Sequence, residues 1–262
     1  MSASSDKFSD LAVRMSSAIV MIVVGVGAIW SGGFLFSGLV IAVCAALIWE
    51  LLRMLGAAQP LALGLAGVGA ASLVVAWVLP SNLSLLLLFV PAAAGVAVHP
   101  QHRALHAAFV VLIMVACMAL LMLRTEGVAW ILWLVAVVVA TDVLGYFAGR
   151  IIGGPKFWPK VSPKKTWSGT AAGWVAAAVV GVLFIGVQGA GVEVVLYSVL
   201  LSMASQAGDV AESAMKRRMG VKDSSNLIPG HGGFFDRFDG MLGAAVILLP
   251  LMLLVGFPPI LN

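Results

Sequence analysis

Charge is the scarcest feature of this sequence. Only 10% of the 262 residues are Asp, Glu, Lys or Arg, and 62% are hydrophobic. Soluble domains devote about 25% of their residues to charge, so this chain could not cover a water-facing surface with what it has. Cysteine is nearly absent as well. The two that occur, Cys44 and Cys117, lie in the middle of different apolar runs and suggest neither a disulfide nor a metal site. Period-two alternation is missing, which speaks against a membrane-spanning barrel. Internal repeats are not evident, which weakens an inverted-repeat transporter.

What remains is a set of long apolar runs, each near the roughly 20 residues a helix needs to cross a bilayer. The expected fold is all-α and polytopic, with about nine spans at 15–31, 33–54, 61–79, 83–98, 105–123, 127–149, 169–188, 194–216 and 241–260. The fourth is short and interrupted by Pro91. No small-residue cleavage site follows the first run, so it reads as a retained helix behind a short polar lead. Abundant glycine, as at Gly25, Gly27 and 64–69, suits close helix packing in lipid.

Placing the N-terminus in the cytoplasm puts fourteen of the fifteen Lys and Arg residues on the inner side and leaves Arg124 outside. The net charge of +4 reports this bias, with some contact to anionic headgroups, and does not argue for nucleic acid. The chain divides into N-terminal membrane helices over 1–130 and a C-terminal region over 131–262 that carries two cytoplasmic loops, about 150–168 and 217–240. In the first part Glu50 and Arg53 are expected to pair at the membrane interface. His99, His102 and His106 share a helix face, where a solvated or headgroup-facing role is expected over metal binding.

Ionisable groups at membrane depth gather in the second part. Asp142 lies in the sixth span, and Asp209 and Glu212 in the eighth, where a carboxylate costs about 2.5–3.5 kcal/mol on insertion scales. Asp142, Gly145, Tyr146, Gly149 and Arg150 fall on one helical face, which suits either a ligand or a helix seam with Asp142 paired to a base. In segment 160–170, Lys164 and Lys165 with Ser162, Thr166 and Ser168 precede a helix start. They read either as a phosphate cradle or as positive-inside anchors beside an interfacial Trp167. A Walker A loop is excluded by the glycine pattern.

The densest constellation spans 209–239, where five acids and five bases interrupt an otherwise apolar chain. Asp209, Glu212, Ser213 and Lys216 lie on one helical face, and a loop with Lys222, Asp223, His231, Gly232 and Gly233 leads to Asp236, Arg237 and Asp239. Oxygen ligands from separate elements suit a Mg²⁺ that holds phosphates. The basic residues suit phosphate charge, and the paired glycines allow backbone N–H groups to approach it.

This segment closely resembles the signature of CDP-diacylglycerol synthases, also called phosphatidate cytidylyltransferases. The resemblance rests on Ser213, Met215, Lys216, Arg217, Lys222, Asp223, Ile228, Pro229, His231, Gly232, Gly233, Phe234, Asp236, Arg237, Phe238 and Asp239. Upstream, Asp142 with Tyr146, Gly149 and Arg150, and the Ser-Pro-Lys-Lys-Thr-Trp run at 162–167, are similar to two further family segments. Val143, Gly145 and Ser168 depart from the family pattern.

The resemblance implies transfer of CMP from CTP to phosphatidic acid, giving CDP-diacylglycerol and pyrophosphate. It implies Mg²⁺ on Asp209 and Asp236, with Asp239 or Glu212 behind them or at a second cation. Lys216, Arg217 and Arg237 would bind triphosphate or lipid phosphate. Ser162, Lys164, Lys165 and Thr166 would close over the nucleotide phosphates, and Asp142 would line the nucleotide pocket. Ser213, Lys222, Asp223, Gly232 and Gly233 would belong to the same binding surface, and His231 would shape the loop or donate to a phosphate. A homodimer in a bacterial inner membrane, with the site facing the cytoplasm, is also implied. Rival readings are another transferase acting on a lipid phosphate, and a transporter using Asp142, Asp209 and Glu212 as an ion path.

The charge bias makes a direct prediction. In a Cys44→Ala, Cys117→Ala background expressed in bacterial cells, Glu126→Cys should react with a membrane-impermeant maleimide while Lys160→Cys reacts only after lysis. The reverse pattern would overturn the orientation.

Overall fold

The computed structural model describes residues 2–79, 81–98 and 101–258, with side chains from residue 12 onward except at 82. Among the described residues there are nine α-helices: α1 Ser2–Ser31, α2 Gly33–Met54, α3 Gln59–Val78, α4 Val90–Val98, α5 Arg103–Glu126, α6 Val128–Ile151, α7 Trp167–Leu183, α8 Glu193–Arg218 and α9 Phe235–Pro250. Seven segments are long and apolar enough to cross a membrane: those in α1, α2, α3, α5, α6 and α8, and Phe235–Val255, which extends α9 by a π-helical turn. The chain is an all-α polytopic membrane protein.

The other two expected spans are shorter, Leu83–Val98 and Trp167–Leu183. The first is split into a 3₁₀ segment, Asn82–Phe89, and α4. Pro91, in the first turn of α4, has no N–H to carry a continuous ladder back into the preceding segment. The second ends at Leu183, not 188, because Gly186 takes a positive φ of 83° ahead of a short 3₁₀ turn. At the other extreme, α1 begins at Ser2, well before the apolar run. The last two residues of the expected ninth span, 259 and 260, lie outside the described residues.

Helix α5 runs through the middle. Val110, Ile113, Met114, Ala116, Cys117, Leu121 and Leu123 are all buried against α2, α4, α6 and α9. Cys44 and Cys117 are buried and free. His99 lies outside the described residues, and His106 corrects the expectation for the histidine face. It is fully buried on α5, with its ring filling the space beside Gly95 of α4. Small residues on facing helices left that room, which the spacing of the histidines could not show.

One end of the bundle is apolar and aromatic. Trp130, Trp133, Tyr197 and Phe257 pack edge to face there, with centroids 4.5–5.8 Å apart. At this end Arg124 donates from Nε to the carbonyl of Ile29 at 2.8 Å, placing a cation at the C-terminus of α1. The charged loops lie at the opposite end, where an antiparallel hairpin absent from the all-α reading joins α6 to α7. Its strands are β1 Lys156–Trp158 and β2 Ser162–Thr166.

Backbone approaches set the spacing of the helices that lead to the charged end. A Cβ added at Gly169 of α7 would lie 2.5 Å from the Gly145 carbonyl oxygen of α6. One added at Gly208 of α8 would lie 2.5 Å from the Asp239 carbonyl oxygen and 2.8 Å from the Gly243 Cα of α9. Gly208→Val should therefore force α8 from α9 and destabilise the fold by about 1–3 kcal/mol, the usual range for overpacking. Thermal unfolding in detergent checks this, and an unchanged Tm would contradict the tight seam.

Candidate active site

The charged end is where helix termini converge. The C-terminal parts of α2, α6 and α8 meet the N-terminal parts of α7 and α9, with α1 alongside. Two clefts open there, separated by a bridge of buried ion pairs.

The larger cleft, about 650 Å³, lies between α6, the hairpin, α7 and α8. Asp142, Gly145, Tyr146, Gly149 and Arg150 all line it, so the face expected on α6 is a cleft wall. Across from them stand Lys164, Lys165 and Thr166 of the hairpin and Asp209 of α8. Lys165 Nζ lies 2.6 Å from Asp209 Oδ2, and Ser213 donates to Asp209 Oδ1 at 3.3 Å. The Asp142 carboxylate lies against Gly240, the neighbour of Asp239: a Cβ added there would be 3.8 Å from Asp142 Oδ2. Asp142 and Asp209 therefore face the same cleft, with Arg150, Lys156, Lys164 and Lys165 around them. Thr166 is spent locally: it caps α7, accepting from the Gly169 N–H at 3.2 Å.

The bridge is built on Lys216, whose Nζ lies 2.7 Å from Glu212 Oε2 and 2.7 Å from Asp236 Oδ1. Glu212 is 1% exposed, so the lysine is the cation that permits its burial. Asp236 is also occupied on its other oxygen. Oδ2 accepts from the N–H of Gly233, the N–H of Ser224 and the Ser224 hydroxyl, each at 2.8 Å. The carboxylate ties the two ends of the α8–α9 loop together. Gly233 spends its N–H here and not in an open anion nest. Gly232 turns the loop with a φ of 81°, a conformation that favours glycine.

Glu50 departs most from expectation. It does not pair with Arg53, whose Nη1 instead donates to the Ala57 carbonyl at 2.6 Å. Helix α2 turns Glu50 inward, fully buried, where it accepts from the N–H groups of Phe234 and Phe235 at 2.9 and 2.8 Å. The hydroxyls of Ser225 and Ser224 complete its shell at 2.5 and 3.2 Å. Its charge thus meets the N-terminus of α9, where the helix dipole favours an anion.

The smaller cleft, about 380 Å³, is lined by Arg14 of α1 and by Lys222, Asp223, His231, Gly232 and Arg237 of the loop. Ser17 Oγ of α1 stands 2.8 Å from His231 Nδ1 and 3.0 Å from the Pro229 carbonyl. Arg237 Nε donates to the His231 carbonyl at 3.0 Å.

The 209–239 constellation is therefore divided between two faces. Asp142, Lys164, Lys165, Thr166 and Asp209 line the larger cleft, and Lys222, Asp223, His231, Gly232 and Arg237 the smaller. Glu212, Lys216, Asp236 and Gly233 form the wall between, while Arg217 is exposed at the end of α8 and Ser162 sits in β2; neither lines these two clefts. Asp209 and Asp236, paired in the sequence reading as metal ligands, turn to different partners. Among the described residues, no three Asp, Glu, His or Cys side chains converge closely enough to hold a metal by themselves. Glu50, Ser224, Ser17 and Arg14 entered through tertiary packing. A glutamate inside an apolar span was the one local signal that could have pointed to any of them.

A polytopic helical membrane protein with acids and lysines around a cleft at one end is the class that fold and site define. The cytidylyltransferase family model matches residues 12–255, and the chain belongs to this family. A phosphatidate cytidylyltransferase of Brucella abortus (strain 2308) is 49% identical over 124 residues, covering 47% of this chain and 46% of the relative. The same name is carried by proteins of Staphylococcus saprophyticus, 39% identical over 132 residues with 49% of each chain covered, and of Bacillus subtilis, 42% identical over 119 residues with 44% of each covered. The chain thus spans about half the length of the curated relatives it matches.

Removing Lys216 should show what the bridge carries. Lys216→Met leaves two buried carboxylates without their cation and should cost about 3–5 kcal/mol, read as a fall in Tm in detergent. Adding Glu212→Gln should recover part of the loss. A wild-type Tm in the single variant would overturn the bridging role.

Proposed function

We propose that this protein is a phosphatidate cytidylyltransferase, joining CMP from CTP to phosphatidic acid. The observation that carries the reading is the larger cleft, in which membrane-depth acids meet a lysine-bearing hairpin at one end of the bundle. The shared name of the relatives supports it. CTP enters this cleft from the cytoplasm, and the acyl chains of the lipid remain in the bilayer. The setting is a bacterial inner membrane, and the functional unit is a homodimer, as the family resemblance implies.

In the reaction an oxygen of the lipid phosphate forms a bond to the α-phosphorus of CTP. The bond from that phosphorus to the pyrophosphate bridging oxygen breaks, and its electron pair leaves with pyrophosphate. Phosphatidate is already anionic, so no strong base is required, and the protein acts chiefly through positioning and charge neutralisation. Lys165 exchanges its Asp209 partner for a phosphate oxygen as CTP binds, and Lys164 adds a second positive charge.

Mg²⁺ fits this cleft because Asp142 and Asp209 line it, with Gly240, the neighbour of Asp239, packed against the Asp142 carboxylate, and these hard oxygen donors stand beside lysines that suit phosphate. Mg²⁺ also takes only one or two protein carboxylates when phosphates supply the rest. Asp209 and Asp239 are the residues that would hold it, while Asp236, already engaged by four donors, keeps the loop in place. When bound, the ion supplies neutralisation of triphosphate charge.

Purified protein in detergent should produce CDP-diacylglycerol and pyrophosphate in equal amounts from CTP and phosphatidate, and should stop when EDTA is added. Asp209→Asn should lower kcat at least ~100-fold without lowering Tm, a loss in the range typical of displaced electrostatic groups. Lys165→Met should chiefly raise KM for CTP. No cytidylyl transfer by the wild type would sink the proposal, and full activity in Asp209→Asn would sink the metal assignment.

A further inference from the structure

Glu50 lies outside both clefts, yet it touches the loop on which the smaller cleft and the wall are built. Its oxygens are saturated evenly. Oε1 accepts from Ser225 Oγ and the Phe234 N–H, and Oε2 from the Phe235 N–H and Ser224 Oγ. Among the described residues these partners are donors and not bases, so the anion is held by oriented dipoles at a helix start. An ordinary cap on α9 would come from the residue preceding it, but Phe234 has no side chain able to cap. The cap is supplied from α2, 184 residues away in sequence from Phe234.

The Ser224 hydroxyl stands 3.2 Å from Glu50 and 2.8 Å from Asp236. This one hydroxyl lies between the two carboxylates and links α2 to the first turn of α9. A Cβ added at Gly233 would fall 2.5 Å from Glu50 Oε1, so the loop passes directly over this carboxylate. Phe235, the first residue of α9, is 1% exposed and packs at a tilt against Phe109 of α5, with ring centroids 6.0 Å apart, which anchors the same turn.

We infer that Glu50 is a positioning residue for the active site: it sets the α8–α9 loop and the first turn of α9, and so the placement of Arg237 and Asp239 relative to Asp209. The inference rests on the cytidylyltransferase reading for its kinetic consequence, but not for its structural one. Glu50→Gln keeps the size of the side chain while turning an amide NH₂ toward groups that are themselves donors. Glu50→Asp keeps the charge but is one methylene shorter.

The test compares these variants with Leu47→Ala, a buried position one turn back on α2. Steady-state kinetics, Mg²⁺ activation and amide hydrogen exchange are measured on each purified protein in detergent. Glu50→Gln should lower kcat about 30-fold or more and raise the Mg²⁺ concentration for half-activation at least 5-fold. Peptides covering 224–236 should exchange about 10-fold faster, with 156–170 unchanged. Glu50→Asp should recover part of each effect. Leu47→Ala should lower Tm and leave the Mg²⁺ dependence and the exchange ratio unaltered. Wild-type kinetics and exchange in Glu50→Gln would overturn the inference. So would a variant that merely loses Tm and active fraction, as Leu47→Ala does. Should the wild type make no CDP-diacylglycerol, the cytidylyltransferase reading fails while the exchange experiment still decides the role of Glu50.

Discussion

A buried carboxylate has to be paid back in donors or in opposite charge, and this chain does both within one loop. Lys216 answers Glu212 and Asp236 with a cation, whereas Glu50 is answered by two helix N–H groups and two hydroxyls. Truncating one partner of such a set leaves the other desolvated and alone, which is why these contacts hold more firmly than exposed ion pairs. The path of the α8–α9 loop follows from them. Asp236 closes its ends, Glu50 pins its exit to α2, and Ser17 of α1 meets its turn at His231.

The larger cleft obeys a different constraint. Its acids are not neutralised pairwise: Asp142, Asp209 and Asp239 share one region, and Lys165 alone is in ion-pair contact with Asp209 among the described residues. Two acids, Asp142 and Asp209, and four basic residues, Arg150, Lys156, Lys164 and Lys165, line this cleft, and such a mixed site can accept a cation together with an anionic ligand. The proposed reaction uses that property. Within the wall Asp236 is satisfied on both oxygens, while the cleft retains charge for substrates. The position near one end of the apolar bundle also fits a polar nucleotide and a lipid meeting across one boundary.

The two halves of the chain are less separate than their composition suggests. The apolar spans within residues 1–130 carry few ionisable groups, yet this part supplies Glu50 and Ser17 to the loop of the second half, and Arg14 to the smaller cleft. Over 18–30, α1 is apolar and largely exposed, as expected where lipid is the solvent.

Length and hydropathy alone were enough for the long helices, because a bilayer requires about 20 apolar residues whatever the packing. Helical spacing likewise placed Asp142, Tyr146 and Arg150 on one face, since that depends on 3.6 residues per turn and nothing distant. The family signature at 213–239 was legible for the same local reason, as a fixed string. What spacing could not supply was the object each face meets. The 209–239 segment looked like one site, but α8 turns Asp209 toward the hairpin and Lys216 toward α9. Glu50 looked like a partner for its neighbour Arg53, but α2 faces it inward to groups 174–185 residues away. Those pairings were decided by how the helices pack, because a hydrogen bond is specified by where two chains come together, and a sequence carries only one of them at a time.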